Sequence, residues 1–249
     1  MTIRQMCTVT YLPAPSGFIL THNRDEAPTR SPKIISREKI AGDTLLFPRD
    51  TKAGGAWVGT TQSGKTACLL NGAFLKHHHS PPYRRSRGLM LLDFFELENP
   101  DRFFEDYELE GIEPFTFLFF QKELVVELRW DGSQRYFKKL PPDVPHFWCS
   151  ATLYPPEMQS KREQVFRNWL KSQIPNPKSL ISLHRTGSVG DPENDFVMNR
   201  GGGRVCTVSI TQVEVGKKIS SMRYFDLLEG NRDKRQVLRK ERSDANVNR

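Results

Sequence analysis

Apolar and polar positions alternate along residues 7–11 and again along residues 18–22, with a short turn rich in Pro, Ser and Gly between them. Period-two alternation on both sides of a tight turn predicts a β-hairpin. The second run continues without a break into Asn23-Arg24-Asp25-Glu26. A hairpin that starts at Cys7 brings the far end of its second strand back beside that cysteine. An arginine and a carboxylate then stand near a thiol, and such groups lower a thiol pKa and orient a base.

The pattern continues in blocks. Residues 27–53 read as loop, with one short apolar piece at 45–47. A second hairpin is predicted over 54–60 and 65–71, turning at Gln62-Ser63-Gly64. Helical spacing of Leu89, Leu92 and Phe95 predicts a helix over 86–98, and Asn99-Pro100 opens another. Strands follow at 115–120, 124–130 and 135–140. Residues 157–172 place Val165, Phe166, Trp169 and Leu170 on one helical face, and a shorter helix is expected at 178–185. After a loop rich in Gly and Asp at 186–204, strands are predicted at 205–215 and 219–228. Consecutive hairpins interrupted by helices argue for antiparallel sheets with helices packed outside, an α+β layered domain spanning 1–228.

Composition narrows the class. The chain has 249 residues, 37% hydrophobic and 27% charged, which suits one soluble domain with a sizeable core. No apolar run approaches the roughly 18 residues of a membrane span, and residues 1–7 lack the apolar centre of a secretory signal. The expectation is a cytoplasmic protein without a membrane span. The cysteines at 7, 68, 149 and 206 include no Cys-x-x-Cys pair, so no metal site or dithiol centre is expected, and no cofactor. Cys68, Cys149 and Cys206 read as buried strand residues. His77-His78-His79 reads as loop surface beside a pocket mouth. Residues 229–249 form a basic tail: beyond Gly230, seven basic residues face three acids and supply +4 of the formal +8. Without interleaved aromatic residues it is read as a flexible, solvated terminus, not as a nucleic-acid binder.

Four segments together carry a family resemblance. Asn23-Arg24-Asp25-Glu26, Gly-Gly-Ala-Trp-Val-Gly at 54–59, Leu69-Leu70-Asn71 before Gly72, and Arg85-Ser86-Arg87-Gly88 resemble the signature words of the NRDE family. That family is also called the transport and Golgi organisation protein two family. The resemblance implies an N-terminal-nucleophile (Ntn) hydrolase fold, a four-layer αββα sandwich. Within that superfamily the chain is similar to the choloylglycine and penicillin V acylases. Carried across by motif, Cys7 is the expected nucleophile, with Arg24 and Asp25 next to it and Asn71 as oxyanion donor. Asn23, Trp57 and Ser150 are placed as substrate contacts, although Trp57 reads most simply as a core anchor and Arg24–Asp25 also reads as a structural ion pair. Arg87 and Arg204 are offered as cavity-facing cations.

A terminal cysteine supplies its own base, because an α-amino group has a pKa of about 7.7–8.0 and takes the thiol proton directly. An amide N–H from Asn71 would then stabilise the oxyanion, a contact worth about 2.7–4 kcal/mol. Six residues precede Cys7 here, so this chemistry requires a start at Met6 followed by loss of Met, or trimming. In addition, Cys149-Ser150-Ala151 stands where the related acylases carry a second asparagine. The expected function is therefore cysteine amidohydrolase chemistry on a linear carbon–nitrogen bond. Its rival is a non-catalytic carrier that binds a lipid, acyl or haem-like ligand in the same pocket.

Overall fold

A computed structural model describes residues 6–30 and 34–239. The first hairpin is present: β1 (Met6–Ala14) and β2 (Gly17–Glu26) pair antiparallel, with Cys7 opposite Arg24 and Ala14 opposite Gly17. At the turn, a Cβ on Gly17 would overlap the Val215 carbonyl oxygen, so only glycine lets the hairpin lie this close to its neighbour.

Residues 27–53, expected as loop, hold a further hairpin: β3 (Ile35–Ile40) and β4 (Asp43–Pro48). Its two-residue turn, Ala41-Gly42, has positive φ at both positions, the mirror-image geometry that matches strand twist. Only Ile35 of β3 is buried. A solvated edge strand lacks the apolar run that marks a buried one. Then come β5 (Val58–Thr61), β6 (Thr66–Asn71), α1 (Arg87–Glu96), α2 (Asp101–Asp106), β7 (Phe115–Gln121), β8 (Leu124–Trp130), β9 (Arg135–Leu140) and β10 (His146–Cys149). Next are α3 (Pro156–Ser172), α4 (Pro177–Thr186), the short β11 (Asn199–Arg200), β12 (Val205–Val215), β13 (Ile219–Asp226) and β14 (Arg232–Leu238). α1 is capped by the Ser86 hydroxyl, which accepts from the Leu89 N–H. α4 is capped reciprocally by Asn176 and Ser179,.

Two antiparallel sheets result. The first runs β10-β1-β2-β12-β13-β14, with β11 attached to β12; the second runs β3-β4-β5-β6-β7-β8-β9. Val9, Tyr11, Phe18 and Leu20 of the first sheet meet Val58, Cys68, Leu70 and Leu118 of the second in a central core. Outside the second sheet α1 and α2 pack a phenylalanine-rich layer, where Phe94 lies 5.0–5.3 Å from the rings of Phe95, Phe103, Phe117 and Phe119. Phe166, Trp169, Leu180 and Leu183 of α3 and α4 cover the outer face of the first sheet. The α+β sandwich expected from the sequence is the one found.

The tail is a partial correction. Residues 232–238 are not a solvated terminus but the edge strand β14, paired with β13 from Ile219–Leu238 to Phe225–Arg232. Such a strand needs little apolar content: Val237 is buried, while Arg232, Lys234 and Arg235 remain in the charged pattern that protects sheet edges from self-pairing,. Residues 240–249 lie outside the described residues.

Candidate functional site

The pleat of β2 divides the four-residue signature. Successive strand residues face opposite sides of a sheet, so Arg24 and Glu26 point between the sheets while Asn23 and Asp25 point toward α3 and α4. Cys7, cross-strand partner of Arg24, shares the inner face and is 5% exposed.

Arg24 is fixed from several sides. Its Nη2 donates to Asp50 Oδ2 at 2.5 Å and reaches Glu26 Oε2 at 3.5 Å, and its guanidinium lies 3.9 Å from the Trp57 ring centre. Asp50 is itself preset, since its Oδ1 accepts the N–H groups of Lys52 and Ala53 in a tight turn. Trp57 is thus the platform under the arginine. Sequence reasoning missed Asp50, although an Asp ahead of Gly54-Gly55 is an ordinary turn signal.

Ser150 joins two further expected residues. Its N–H donates to the Cys7 carbonyl at 3.0 Å and its hydroxyl to the Asn71 carbonyl at 2.8 Å. Cys7, Ser150 and Asn71 therefore meet where β1, β10 and β6 converge. The signature glycines allow a second close approach, between the segment before β5 and α1. A Cβ on Gly55 would strike the backbone of Gly88 at 2.5 Å, so the segment before β5 and the start of α1 can touch only as glycines. That contact places Arg87 inward. It is partly buried, donates to the Pro114 carbonyl, pairs with Glu113 at 2.8 Å, and its charge is felt at Cys7. Glu113 also accepts from His77 Nε2 and His79 Nδ1 at 3.0 and 3.1 Å. Burial opposes its ionisation, but these hydrogen bonds and Arg87 outweigh it and hold the carboxyl at about 2. His77 and His79 are thus clasped to the framework, not free surface. Among the described residues no group of three or more His, Cys, Asp or Glu is arranged to hold a metal ion. Arg204 is exposed and donates to the Gly201 carbonyl.

The back of the strand is different. Asn23 Nδ2 donates to the carbonyls of His184 and Phe196 at 2.9 and 2.7 Å, and its Oδ1 accepts from His184 Nδ1 at 2.6 Å. With Nδ1 donating, His184 Nε2 accepts from the Thr10 hydroxyl. The ring is neutral, and burial pushes its pKa down to about 3. Asn23 is therefore a latch for α4 on the face away from Cys7, not a contact in the inter-sheet cleft. Asp25 accepts from the Thr207 hydroxyl at 2.6 Å and the Tyr154 hydroxyl at 3.4 Å. Burial raises its carboxyl to about 7 against those bonds. Beside it the fully buried Arg162 spans from α3 to Thr8 Oγ1 at 2.5 Å and to the carbonyls of Asn194 and Asp195. An arginine among the apolar positions of an amphipathic helix, four residues before Phe166, is the signal that could have revealed it.

The thiol is not activated as the chain stands. Burial is the largest influence and pushes the Cys7 pKa well above its ordinary value; Asp25 adds to this, and Arg24 opposes it without prevailing. The expected lowering by Arg24 is real in sign and too small in size.

No curated protein matches the sequence. Solved structures match in fold. Penicillin V acylase from Agrobacterium tumefaciens aligns with a TM-score of 0.54 at 10% identity, over 92% of this chain and 85% of that one. Conjugated bile acid hydrolase from Clostridium perfringens aligns in two mutant forms. One has a TM-score of 0.51 at 10% identity over 94% and 97% of the two chains; the other has 0.52 at 9% over 97% and 99%. The fold is that of the Ntn-hydrolase acylases. The family model for Transport and Golgi organisation 2 matches residues 6–182, and the protein belongs to that family.

Proposed function

We propose that this protein is a cysteine amidohydrolase of the Ntn type, acting on a linear amide once Cys7 becomes the first residue. The observation that carries this reading is the position of Cys7: at the head of β1, on the inter-sheet face, directly opposite a fixed Arg24, with Ser150 tying it to Asn71. A free α-amino group at Cys7 would take the Sγ proton as sulfur attacks the amide carbon. The tetrahedral oxyanion would collapse, the C–N bond would break, and the leaving amine would accept the proton from the ammonium. Water, deprotonated by the same amine, would then hydrolyse the thioester to a carboxylic acid and restore the thiol. Asp25, whose charge reaches Cys7, would serve that ammonium as counter-charge once ionised, which burial delays to about pH 7.

A second reading has its own support. A thiol held protonated by burial, behind Met6 in the chain, suits a non-catalytic carrier that binds a lipid, acyl or haem-like ligand in the same fold. Intact mass and N-terminal sequencing of protein made in cells separate the two. The hydrolase reading expects Cys7 at the terminus, labelled selectively by a thiol-reactive acyl probe, with labelling and turnover both lost in Cys7→Ala. A chain that retains residues 1–6 and labels Cys7 no faster than the fully buried Cys68 would favour the carrier.

A further inference from the structure

The two sheets are not in register at one side of the sandwich. The first ends at the four-residue β10, while the second continues through β8 to β9. The inward side chains of β8 and β9 are therefore left without a facing strand, and a groove runs along β10 between them and α3. It comprises a cavity of about 570 Å³ and a deeper one of about 170 Å³ that reaches Cys149. They share Arg129, Phe147, Trp148 and Glu163 as walls.

The outer edge of β10 is unpaired among the described residues. Because the Ser150 N–H bonds back to Cys7, the antiparallel alternation turns the N–H and C=O groups of Phe147 and Cys149 outward into the groove. The charges lining it mostly cancel. Glu127 is matched by Arg129 and accepts from Trp148 Nε1, and Glu163 is matched by Arg167. Lys138 on β9 stands opposite Glu127 in the ladder and its charge favours ionisation of that carboxylate, but it makes no ion pair among the described residues, so the groove keeps a positive charge in excess.

We infer that this groove takes an extended peptide as an additional strand on β10, completing the first sheet over β8 and β9. Such edge addition uses main-chain hydrogen bonds for affinity and alternate side-chain pockets for selectivity. Positions facing the second sheet meet Lys138 and take an acidic side chain. Positions facing α3 meet Phe147, Phe166 and Leu170 and take apolar ones. The fitting partner is a segment with apolar–acidic alternation.

The test is to pan a random twelve-residue peptide library against the full chain and measure the selected peptides by fluorescence anisotropy. Binders should alternate apolar and acidic positions and protect the Phe147 and Cys149 amides from hydrogen exchange. They should weaken about tenfold with Lys138→Glu and lose binding when alternate peptide nitrogens are methylated. Cys7→Ala should leave binding unchanged, which separates this site from the chemistry at Cys7. Selection of no peptide, binders indifferent to both Lys138→Glu and N-methylation, or self-association of the chain through β10 would overturn the inference.

Discussion

Arg24 and Glu26 on one side of β2, and Asn23 and Asp25 on the other, do different work within one four-residue word. The inner pair lies in an electrostatic knot with Asp50 and Trp57 beside the Cys7 thiol. The outer pair is hydrogen-bonded to α4, β12 and Tyr154, on the face where Arg162 crosses beneath β1. Residues adjacent in sequence are thus separated by the full thickness of a sheet. The contrast teaches that the signature combines two devices, one buried beside the Cys7 thiol and one securing the strand that bears it.

Arg24→Leu should break the inner device most severely. It leaves Asp50 and Glu26 buried without that counter-charge, and losing one partner of a buried pair costs about 3–5 kcal/mol. Urea unfolding measures the loss, and adding Asp50→Asn should recover part of it. Recovery of nothing would mean that Arg24 acts through the Trp57 stack alone.

Asp25→Asn probes the outer device through pH. Burial keeps Asp25 protonated in the fold up to about 7, against an ordinary value of 3.8. The folded chain therefore holds an extra proton between those limits. Its contribution to stability is complete below the lower value and is lost as pH rises through the upper one. The asparagine variant escapes that loss, so its advantage over the parent should grow between pH 4 and pH 7. Roughly three units at 1.36 kcal/mol each set a ceiling of about 4 kcal/mol. His22 and His184, lowered by burial to about 4 and about 3, have the opposite dependence. They are common to both proteins and cancel in the difference. A difference that is flat with pH would show Asp25 ionised throughout.

The smallest effect is expected for Trp57→Leu, which removes the face under Arg24 while retaining an apolar side chain. A desolvated cation–π contact is worth about 2 kcal/mol, visible as a modest shift in the urea midpoint. A loss as large as that of Arg24→Leu would make the tryptophan, not Asp50, the principal support of the arginine.

The sequence was informative where one periodicity dominated. Alternation across the Pro15-Ser16 turn located the first hairpin, and counting back from it places Cys7 against Arg24. The same count sets Asp25 on the opposite face, yet motif carry-over put both beside the thiol, because a word read as a unit hides the pleat. β3 and β14 escaped notice for another reason. Each is an edge strand with a single inward apolar residue, Ile35 or Val237, so neither produces the run that marks a buried strand. Asp50, Glu113 and Arg162 required tertiary information. A turn aspartate or an arginine on an apolar helix face can be noticed locally, but their long-range partners Arg24, His77 and Thr8 lie 26, 36 and 154 residues away, and no local pattern names them.

The double grip of Ser150 bears on the proposed exposure of Cys7 as the first residue. Its hydrogen bonds to the carbonyls of Cys7 and Asn71, and the pairing of Thr8 with Cys149, lie on the C-terminal side of the peptide bond between Met6 and Cys7. Severing that bond would release the preceding segment without loosening these ties, so a newly exposed cysteine would stay seated where the intact chain holds it.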